Sequence, residues 1–174
     1  MGDSPATSGV GDPAGGKGTE LVLLRQLLDG DVRAVTITGP AGVGKIPLAT
    51  EVAAALAPDF AGQVVAVNLA PLLDPALVES AIAKALGVET PADEPLVESI
   101  IAAVGDARVL VLLDNFEHLG QGAPVVAELV ASCPNLEVLV TSREVLRLSA
   151  ERIFPVSPLD VHRRQAHGQR PTRS

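Results

Sequence analysis

The sequence predicts an α/β fold: a three-layer α/β/α domain with a mainly parallel sheet. Short stretches rich in Val, Ile and Leu alternate with segments of helical periodicity, and strands that alternate with helices form parallel sheets. The stretch RVLVLLD at residues 108–114 is apolar until its last residue, which is typical of a strand buried on both faces. The length of 174 residues suits one such domain with a sizeable core.

The first predicted elements are a helix, a strand and a second helix. LVLLRQLL predicts a helix over residues 21–28, and the β-branched stretch RAVTIT predicts a strand over residues 33–38. After a glycine-rich loop, Leu48, Val52 and Leu56 recur every four residues and form one apolar face of a helix. A strand is therefore followed by a glycine loop and then by a helix.

Turn and capping residues mark the next strand and two further helices. QVVAVNLA predicts a strand over residues 63–70. We expect Asp74 to cap the following helix and Gly87 to lie just past its end. Another helix is predicted to begin at Pro95 and to stop at Gly105.

The last third of the chain adds a helix and two strands after the buried strand. APVVAELVAS predicts a helix over residues 123–132, and LEVLVTS predicts a strand over residues 136–142. A final strand is predicted within residues 152–159, where two prolines favour a position at the edge of the sheet.

Composition divides the chain into three parts. Residues 1–18 are rich in Gly, Ser, Pro and Asp and predict a flexible leader. Residues 19–160 form the predicted domain. Residues 161–174 contain four arginines and no acid, and they predict a basic disordered tail because they offer almost nothing to bury.

Charge and composition exclude several classes of protein. The net charge of −8 argues against direct nucleic-acid binding by this segment, since such binding needs clustered Lys and Arg. No apolar run approaches the roughly 18 residues of a membrane span, and no signal-peptide pattern is present. Cys133 is the only cysteine, which excludes a disulfide framework. We expect a cytoplasmic protein without membrane contact, in which Cys133 is a small buried residue.

The stretch GPAGVGKIPLA at residues 39–49 carries most of a phosphate-binding loop, G-x-x-x-x-G-K-[ST]. Glycines in such a loop let backbone N–H groups approach phosphate oxygens, and the lysine adds positive charge. The candidate nucleotide-binding residues are Gly39, Pro40, Ala41, Gly42, Val43, Gly44, Lys45, Ile46 and Pro47. A second match, GDPAGGKG at residues 11–18, lacks a preceding strand and is discounted.

Three charged residues lie at or just after the carboxyl ends of two predicted strands. These strand ends should share one edge of the sheet, where ligands bind. Asp114 ends the buried strand and is a candidate catalytic residue that holds magnesium through its water shell. Glu117 is a candidate to polarise water, and Arg143 a candidate to contact a terminal phosphate. The alternatives are a strand-ending turn at Asp114, a helix start at Glu117 and a solvated Arg143.

Two positions depart from the phosphate-loop pattern. Ile46 replaces the Ser or Thr whose hydroxyl ligates magnesium, and Pro47 lacks a backbone N–H near the α-phosphate. Proline is tolerated in a first helical turn, so we expect the fold to survive. Each lost contact should weaken nucleotide binding roughly ten- to a hundredfold.

Three stretches together resemble a known family: TITGPAGVGK, VLVLLDNFEHL and CPNLEVLVTSREVLRLSAERIFPVSPL. They are similar to the NB-ARC-like, AAA-related ATPase domain of STAND-class regulators, found in bacterial transcription factors of the LuxR and AfsR/SARP kinds. The resemblance covers residues 18–159 and implies an ATP/ADP switch. It maps the phosphate loop to Gly39, Gly42, Gly44 and Lys45, the Walker B acid to Asp114, and the sensor arginine to Arg143.

Regulators of this family continue into a helical lid and further domains, so the resemblance implies a truncated regulator. We expect ATP or ADP binding with a weakened Mg²⁺ site and impaired hydrolysis. The alternative is a catalytically dead P-loop scaffold that acts only through protein contacts or self-association. A small-molecule kinase is a third hypothesis, but the sequence offers no recognisable substrate site for it.

Overall fold

The computed structural model describes residues 17–28 and 31–157. The strands are β1 (Ala34–Thr38), β2 (Val64–Asn68), β3 (Val109–Asp114), β4 (Leu136–Ser142) and β5 (Glu151–Pro155). The helices are α1 (Lys17–Leu28), α2 (Lys45–Leu56), α3 (Leu77–Ala85), α4 (Leu96–Val104) and α5 (Ala123–Ser132), with short 3-10 turns at Ala57–Phe60 and Gly120–Gly122. Within these described ranges, no helix is both long and apolar enough to cross a membrane.

All five strands form one parallel sheet in the order β2-β3-β4-β1-β5. The predicted α/β class is therefore confirmed. α5 and β4 have the predicted bounds, and β5 lies at the edge of the sheet beside β1, as its prolines predict. α1 begins at Lys17, inside the segment predicted as a leader. Residues 1–16 and 158–174, which include all of the predicted tail, lie outside the described residues.

The predicted cap of α3 is wrong in detail. The helix begins at Leu77, and its N-cap position is Ala76, which makes no side-chain cap. Asp74 Oδ1 instead accepts a hydrogen bond from Ala76 N–H at 2.9 Å, two residues along the chain. An Asp side chain readily closes such a local turn, which here precedes the helix rather than capping it. Gly87, with φ +69°, follows α3 as predicted.

The sheet separates two apolar clusters. Along β3, Leu110 and Leu112 join the cluster that includes residues of α1 and α2. Val109, Val111 and Leu113 join the cluster that includes residues of α3, α4 and α5. Successive side chains of a strand point to opposite faces, so a strand covered on both sides is apolar throughout. The three-layer arrangement is confirmed, and Cys133 is buried in the second cluster, as expected.

Strand order also decides which loops meet. β4 lies between β1 and β3 and runs parallel to both. Gly39 after β1, Asp114 at the end of β3 and Arg143 after β4 therefore lie at the same edge of the sheet. This carboxyl edge is where open α/β sheets bind their ligands.

Candidate functional site

The loop between β1 and α2 has a backbone that needs its glycines. Gly39, Gly42 and Gly44 have φ angles of +155°, +76° and +96°, which side chains disfavour. A Cβ atom built on Gly39 would lie 2.6 Å from the carbonyl oxygen of Val156. A side chain is excluded sterically at Gly39, whereas at Gly42 and Gly44 glycine avoids backbone strain.

Lys45, Ile46 and Pro47 form the first turn of α2, after Gly44 as its N-cap. The N–H groups of a first turn have no intrahelical acceptor. The first hydrogen bond of α2 is donated by the backbone N–H of the next residue, Leu48, to Gly44 O at 3.2 Å. Pro47 thus removes no helical hydrogen bond, and α2 continues unbroken to Leu56. What Pro47 removes is a donor that would face the loop.

The Lys45 side chain is folded over the loop. Its Nζ donates hydrogen bonds to the carbonyl oxygens of Gly39 at 2.6 Å and Pro40 at 2.9 Å, and only 6% of the side chain is exposed. Burial lowers the pKa of Lys45, an effect opposed by the nearby Glu117 carboxylate. The Lys45 amine is therefore a poorly solvated cation that two backbone carbonyl groups bind at the base of the site.

The loop borders a cleft of about 350 Å³. Eight of the candidate residues line it: Ala41, Gly42, Gly44, Lys45, Ile46, Pro47, Glu117 and Arg143. Gly39 and Pro40 contribute the carbonyl groups that bind Lys45, whereas Val43 is buried in the core. The structure thus brings most of the candidate residues together around one cavity.

Glu117 lies between the two cations of the cleft. Its Oε1 is 3.8 Å from Lys45 Nζ and 4.0 Å from Arg143 Nε. The Arg143 side chain is 59% exposed, whereas the Glu117 side chain is 21% exposed. A carboxylate therefore occupies the space between the two groups that would attract an anion.

Asp114 is not among the residues that line the cleft. Its Oδ1 accepts a hydrogen bond from Thr141 Oγ1 at 2.5 Å, and the same Oγ1 accepts one from Asn115 N–H at 3.0 Å. Phe116 N–H donates to Thr141 O at 3.0 Å. These contacts fasten the end of β3 to β4, so the alternative role of Asp114 in a strand-ending turn also has a structural basis.

Sequence reasoning placed Asn115 and Thr141 at the ends of their strands but gave neither a role of its own. Asn115 lines the cleft with φ +62°, and Thr141 is fully buried behind it. Each left a signal: Asn tolerates a left-handed backbone better than most residues, and Thr141 is polar within an apolar strand.

The residues present fit a phosphate group better than they fit magnesium. Ile46 has no side-chain oxygen to offer a metal, and Oδ1 of the Asp114 carboxylate already accepts a hydrogen bond from Thr141. In the part of the chain that the structure describes, no group of three or more His, Cys, Asp or Glu side chains could hold a metal ion. The glycine loop, the helix N-terminus and Lys45 all favour an anion.

Comparison with known proteins gives sequence relatives from Mycobacterium bovis and Mycobacterium tuberculosis. No protein-family model matches the chain. An uncharacterized protein of Mycobacterium tuberculosis, Rv0894, is 36% identical over 147 residues, or 84% of this chain and 37% of that protein. The "Putative HTH-type transcriptional regulator Rv0890c" of M. tuberculosis is 34% identical over 130 residues, or 74% of this chain and 14% of that protein. The chain spans less than half the length of either relative.

Solved structures give the fold. Cdc6p from Pyrobaculum aerophilum matches with a TM-score of 0.66 at 14% identity, over 93% of this chain and 52% of that chain. Domain III of DnaA from Thermotoga maritima matches with a TM-score of 0.54 at 13% identity, over 90% of this chain and 72% of that chain. The STAND protein PH0952 from Pyrococcus horikoshii matches with a TM-score of 0.52 at 15% identity, over 86% of this chain and 24% of that chain. At such low identity these matches show the fold alone, which is that of P-loop NTPases.

Proposed function

We propose that this domain binds ATP and ADP and serves as the signal-transduction module of a bacterial STAND-type transcriptional regulator, of the NB-ARC-like LuxR or AfsR kind, with impaired hydrolysis. The observation that carries the proposal is the cleft itself. Its glycine loop, Lys45 and Arg143 converge on one cavity at the carboxyl edge of the sheet.

The phosphate groups would lie against the loop and the N-terminus of α2. Backbone N–H groups of residues 41–46 would donate to phosphate oxygens, and the positive end of the helix dipole would favour their charge. Lys45 would exchange its contacts with the Gly39 and Pro40 carbonyls for the β- and γ-phosphates. Arg143, whose side chain is largely exposed, would reach a terminal phosphate from the opposite side.

Hydrolysis would be impaired because the magnesium ligands are poor. When bound, magnesium neutralises charge on the β- and γ-phosphate oxygens. Here Ile46 supplies no hydroxyl, and one oxygen of the Asp114 carboxylate, Oδ1, accepts a hydrogen bond from Thr141. Pro47 also supplies no backbone N–H to the phosphate groups. Glu117 would orient water only after leaving its place between Lys45 and Arg143. The chain's own residues therefore favour binding over turnover.

The regulatory role is supported by sequence similarity. One relative carries the name "Putative HTH-type transcriptional regulator", and one structural neighbour, at 15% identity, is named a signal transduction ATPase. DNA binding is assigned to other parts of such regulators, because this segment has a net charge of −8. Its partners would be the nucleotide and other protein surfaces, including its own, in the cytoplasm and without membrane contact.

A second candidate function is a scaffold that binds no nucleotide. Two observations favour it: Ile46, 40% exposed, places an apolar side chain at the cleft, and Lys45 already has two carbonyl partners. A protein surface that covered Ile46 would use the same cleft without any phosphate.

Calorimetric titration with ATP and ADP, with and without magnesium, separates these functions. We expect the natural chain to bind both nucleotides, with less than about a threefold effect of magnesium, and Lys45→Ala to weaken binding roughly tenfold or more. Lys84→Ala, at an exposed position of α3, is the control and should bind like the natural chain. No binding by the folded natural chain, or equal binding by Lys45→Ala, would replace the proposal with the scaffold.

A further inference from the structure

The loop that carries Arg143 joins β4 to β5 over residues 143–150, and Arg143 is its first residue. Ser142 Oγ accepts a hydrogen bond from Glu144 N–H at 3.2 Å, which shapes the start of the loop. The rest of the loop is bound by Glu151, the first residue of β5. Arg143 thus lies where the loop leaves β4, directly after Ser142, and the loop is fixed again at its other end by Glu151.

The Glu151 carboxylate accepts three successive backbone hydrogen bonds from the loop. Oε1 accepts from Leu146 N–H at 2.9 Å, and Oε2 accepts from Arg147 N–H at 2.8 Å and Leu148 N–H at 3.3 Å. Arg147 has φ +62°, and N–H groups that converge around a left-handed residue form a concave anion-binding nest. Glu151 supplies the anion, which offsets the backbone strain at Arg147.

The same carboxylate contacts the strand that leads into the phosphate loop. Thr36 of β1 is 1% exposed, and its Oγ1 donates a hydrogen bond to Glu151 Oε1 at 2.5 Å. β1 continues through Thr38 directly into Gly39. One side chain thus joins the loop of Arg143 to the strand that positions the phosphate loop.

Apolar packing alone would not hold this loop in one place. Leu146 and Leu148 are partly buried and pack against the core, which draws their backbone away from water. Without the Glu151 carboxylate, the three N–H groups would lose their acceptor. The part-buried N–H groups of Leu146 and Leu148 would then need another partner, whereas that of the exposed Arg147 can bond water. The loop would then shift to recover hydrogen bonds, and Arg143 would move with it.

We propose that Glu151 is a positioning residue of the nucleotide site, whose carboxylate fixes the loop of Arg143 to β1 and so places Arg143 opposite the phosphate loop. The inference rests on the proposed nucleotide-binding function. Glu151 itself is not among the residues that line the cleft, so it acts through Arg143.

A double-mutant cycle of ATP affinity tests this role. Arg143→Ala should weaken ATP binding about tenfold in the natural chain and less than about twofold in the Glu151→Gln chain. Gln replaces one of the two acceptor oxygens with an NH2 donor, which opposes the N–H groups of the loop and loosens the segment that carries Arg143. Lys45→Ala should weaken binding equally in both backgrounds, since the phosphate loop is unchanged. An equal effect of Arg143→Ala in both backgrounds would overturn the proposal.

Hydrogen–deuterium exchange distinguishes failure of this inference from failure of the proposed function. Glu151→Gln should speed exchange of the N–H groups of residues 146–148 roughly tenfold or more. Glu144→Gln, which removes the same charge from the same loop, should leave their exchange unchanged. If the natural chain binds no ATP, the proposed function fails and with it the placement of Arg143 for a nucleotide. Unchanged exchange in Glu151→Gln would show independently that the carboxylate does not hold the loop.

A second variant keeps the test decisive if Glu151→Gln does not fold. Thr36→Val removes only the hydroxyl that links the carboxylate to β1, and it preserves the shape of the side chain. It should reduce the effect of Arg143→Ala on ATP affinity in the same direction, by a smaller factor. A full tenfold effect of Arg143→Ala in the Thr36→Val chain would then overturn the proposal.

Discussion

The two sides of the cleft differ in how they are built. The phosphate-loop side consists of backbone held by glycine geometry, with Lys45 bound to the loop's own carbonyl groups. The opposite side consists of the side chains of Asn115, Glu117 and Arg143, which extend from the ends of β3 and β4. Their placement depends on residues far away in the sequence, among them Thr141.

This difference separates binding of phosphate from binding of magnesium. Backbone N–H groups survive most substitutions, so Ile46 leaves the glycine cradle intact and Pro47 removes a single donor. Magnesium depends on side-chain oxygens. Ile46 lacks one, and one of the two carboxylate oxygens of Asp114 accepts a hydrogen bond from Thr141. A site altered in this way can lose its metal while it keeps its anion.

The largest expected effect comes from a side chain in the glycine cradle. Gly39→Ala should lower the free energy of unfolding by about 2–4 kcal/mol, because its Cβ would meet Val156 O at 2.6 Å. Gly42→Ala is the matched control: its φ is also positive, at +76°, but no heavy atom lies within 4 Å of the added Cβ. It should cost only about 1–2 kcal/mol for backbone strain. Chemical denaturation measures both, and equal losses would contradict the close contact at Gly39.

A smaller effect is expected on the side-chain side of the cleft. Glu117→Gln should tighten ATP binding about threefold, because it removes the negative charge between Lys45 and Arg143. Calorimetry at low salt measures the affinity, with Glu144→Gln as a control for the overall charge. If Glu117→Gln weakens binding instead, Glu117 contributes to the nucleotide site rather than competing with it.

The smallest effect concerns the charge of Lys45. Burial lowers its pKa in the folded protein below the ordinary 10.5, so the unfolded chain holds the proton to higher pH. Stability then rises with pH between these two pKa values. Measured against Lys45→Met, the natural chain should gain stability as the pH rises towards the ordinary pKa of 10.5. A constant difference between the two chains over this range would show that burial does not disfavour the charged amine.

The predictable parts of this molecule are those with local signals. The phosphate loop follows from glycines at fixed spacing between a strand and a helix, and the three layers follow from β3, which is apolar on both faces. Pro47 in the first turn of α2 is tolerated for a reason that the sequence also reveals, since that position needs no helical donor.

The parts that could not be predicted depend on tertiary contacts. Thr141 and Asp114 are 27 residues apart, and Thr36 and Glu151 are 115 residues apart. No spacing rule joins such pairs, because their contact exists only after the strands are ordered in the sheet. Local predictions can also be ambiguous. The Asp74 side chain can close a turn or cap a helix, and the sequence does not distinguish the two.

The most direct test of the account restores the missing ligands of the phosphate loop. Ile46→Thr combined with Pro47→Arg returns the hydroxyl and the N–H group and leaves Lys45, Asp114 and Arg143 untouched. ATP affinity is measured with and without magnesium for this variant and for the natural chain. We expect the variant to bind ATP roughly ten- to a thousandfold more tightly with magnesium, and by a smaller factor of roughly tenfold without it, because the restored N–H group contacts phosphate in either case. If magnesium strengthens ATP binding equally in both chains, the claim that Ile46 separates phosphate binding from metal binding is wrong.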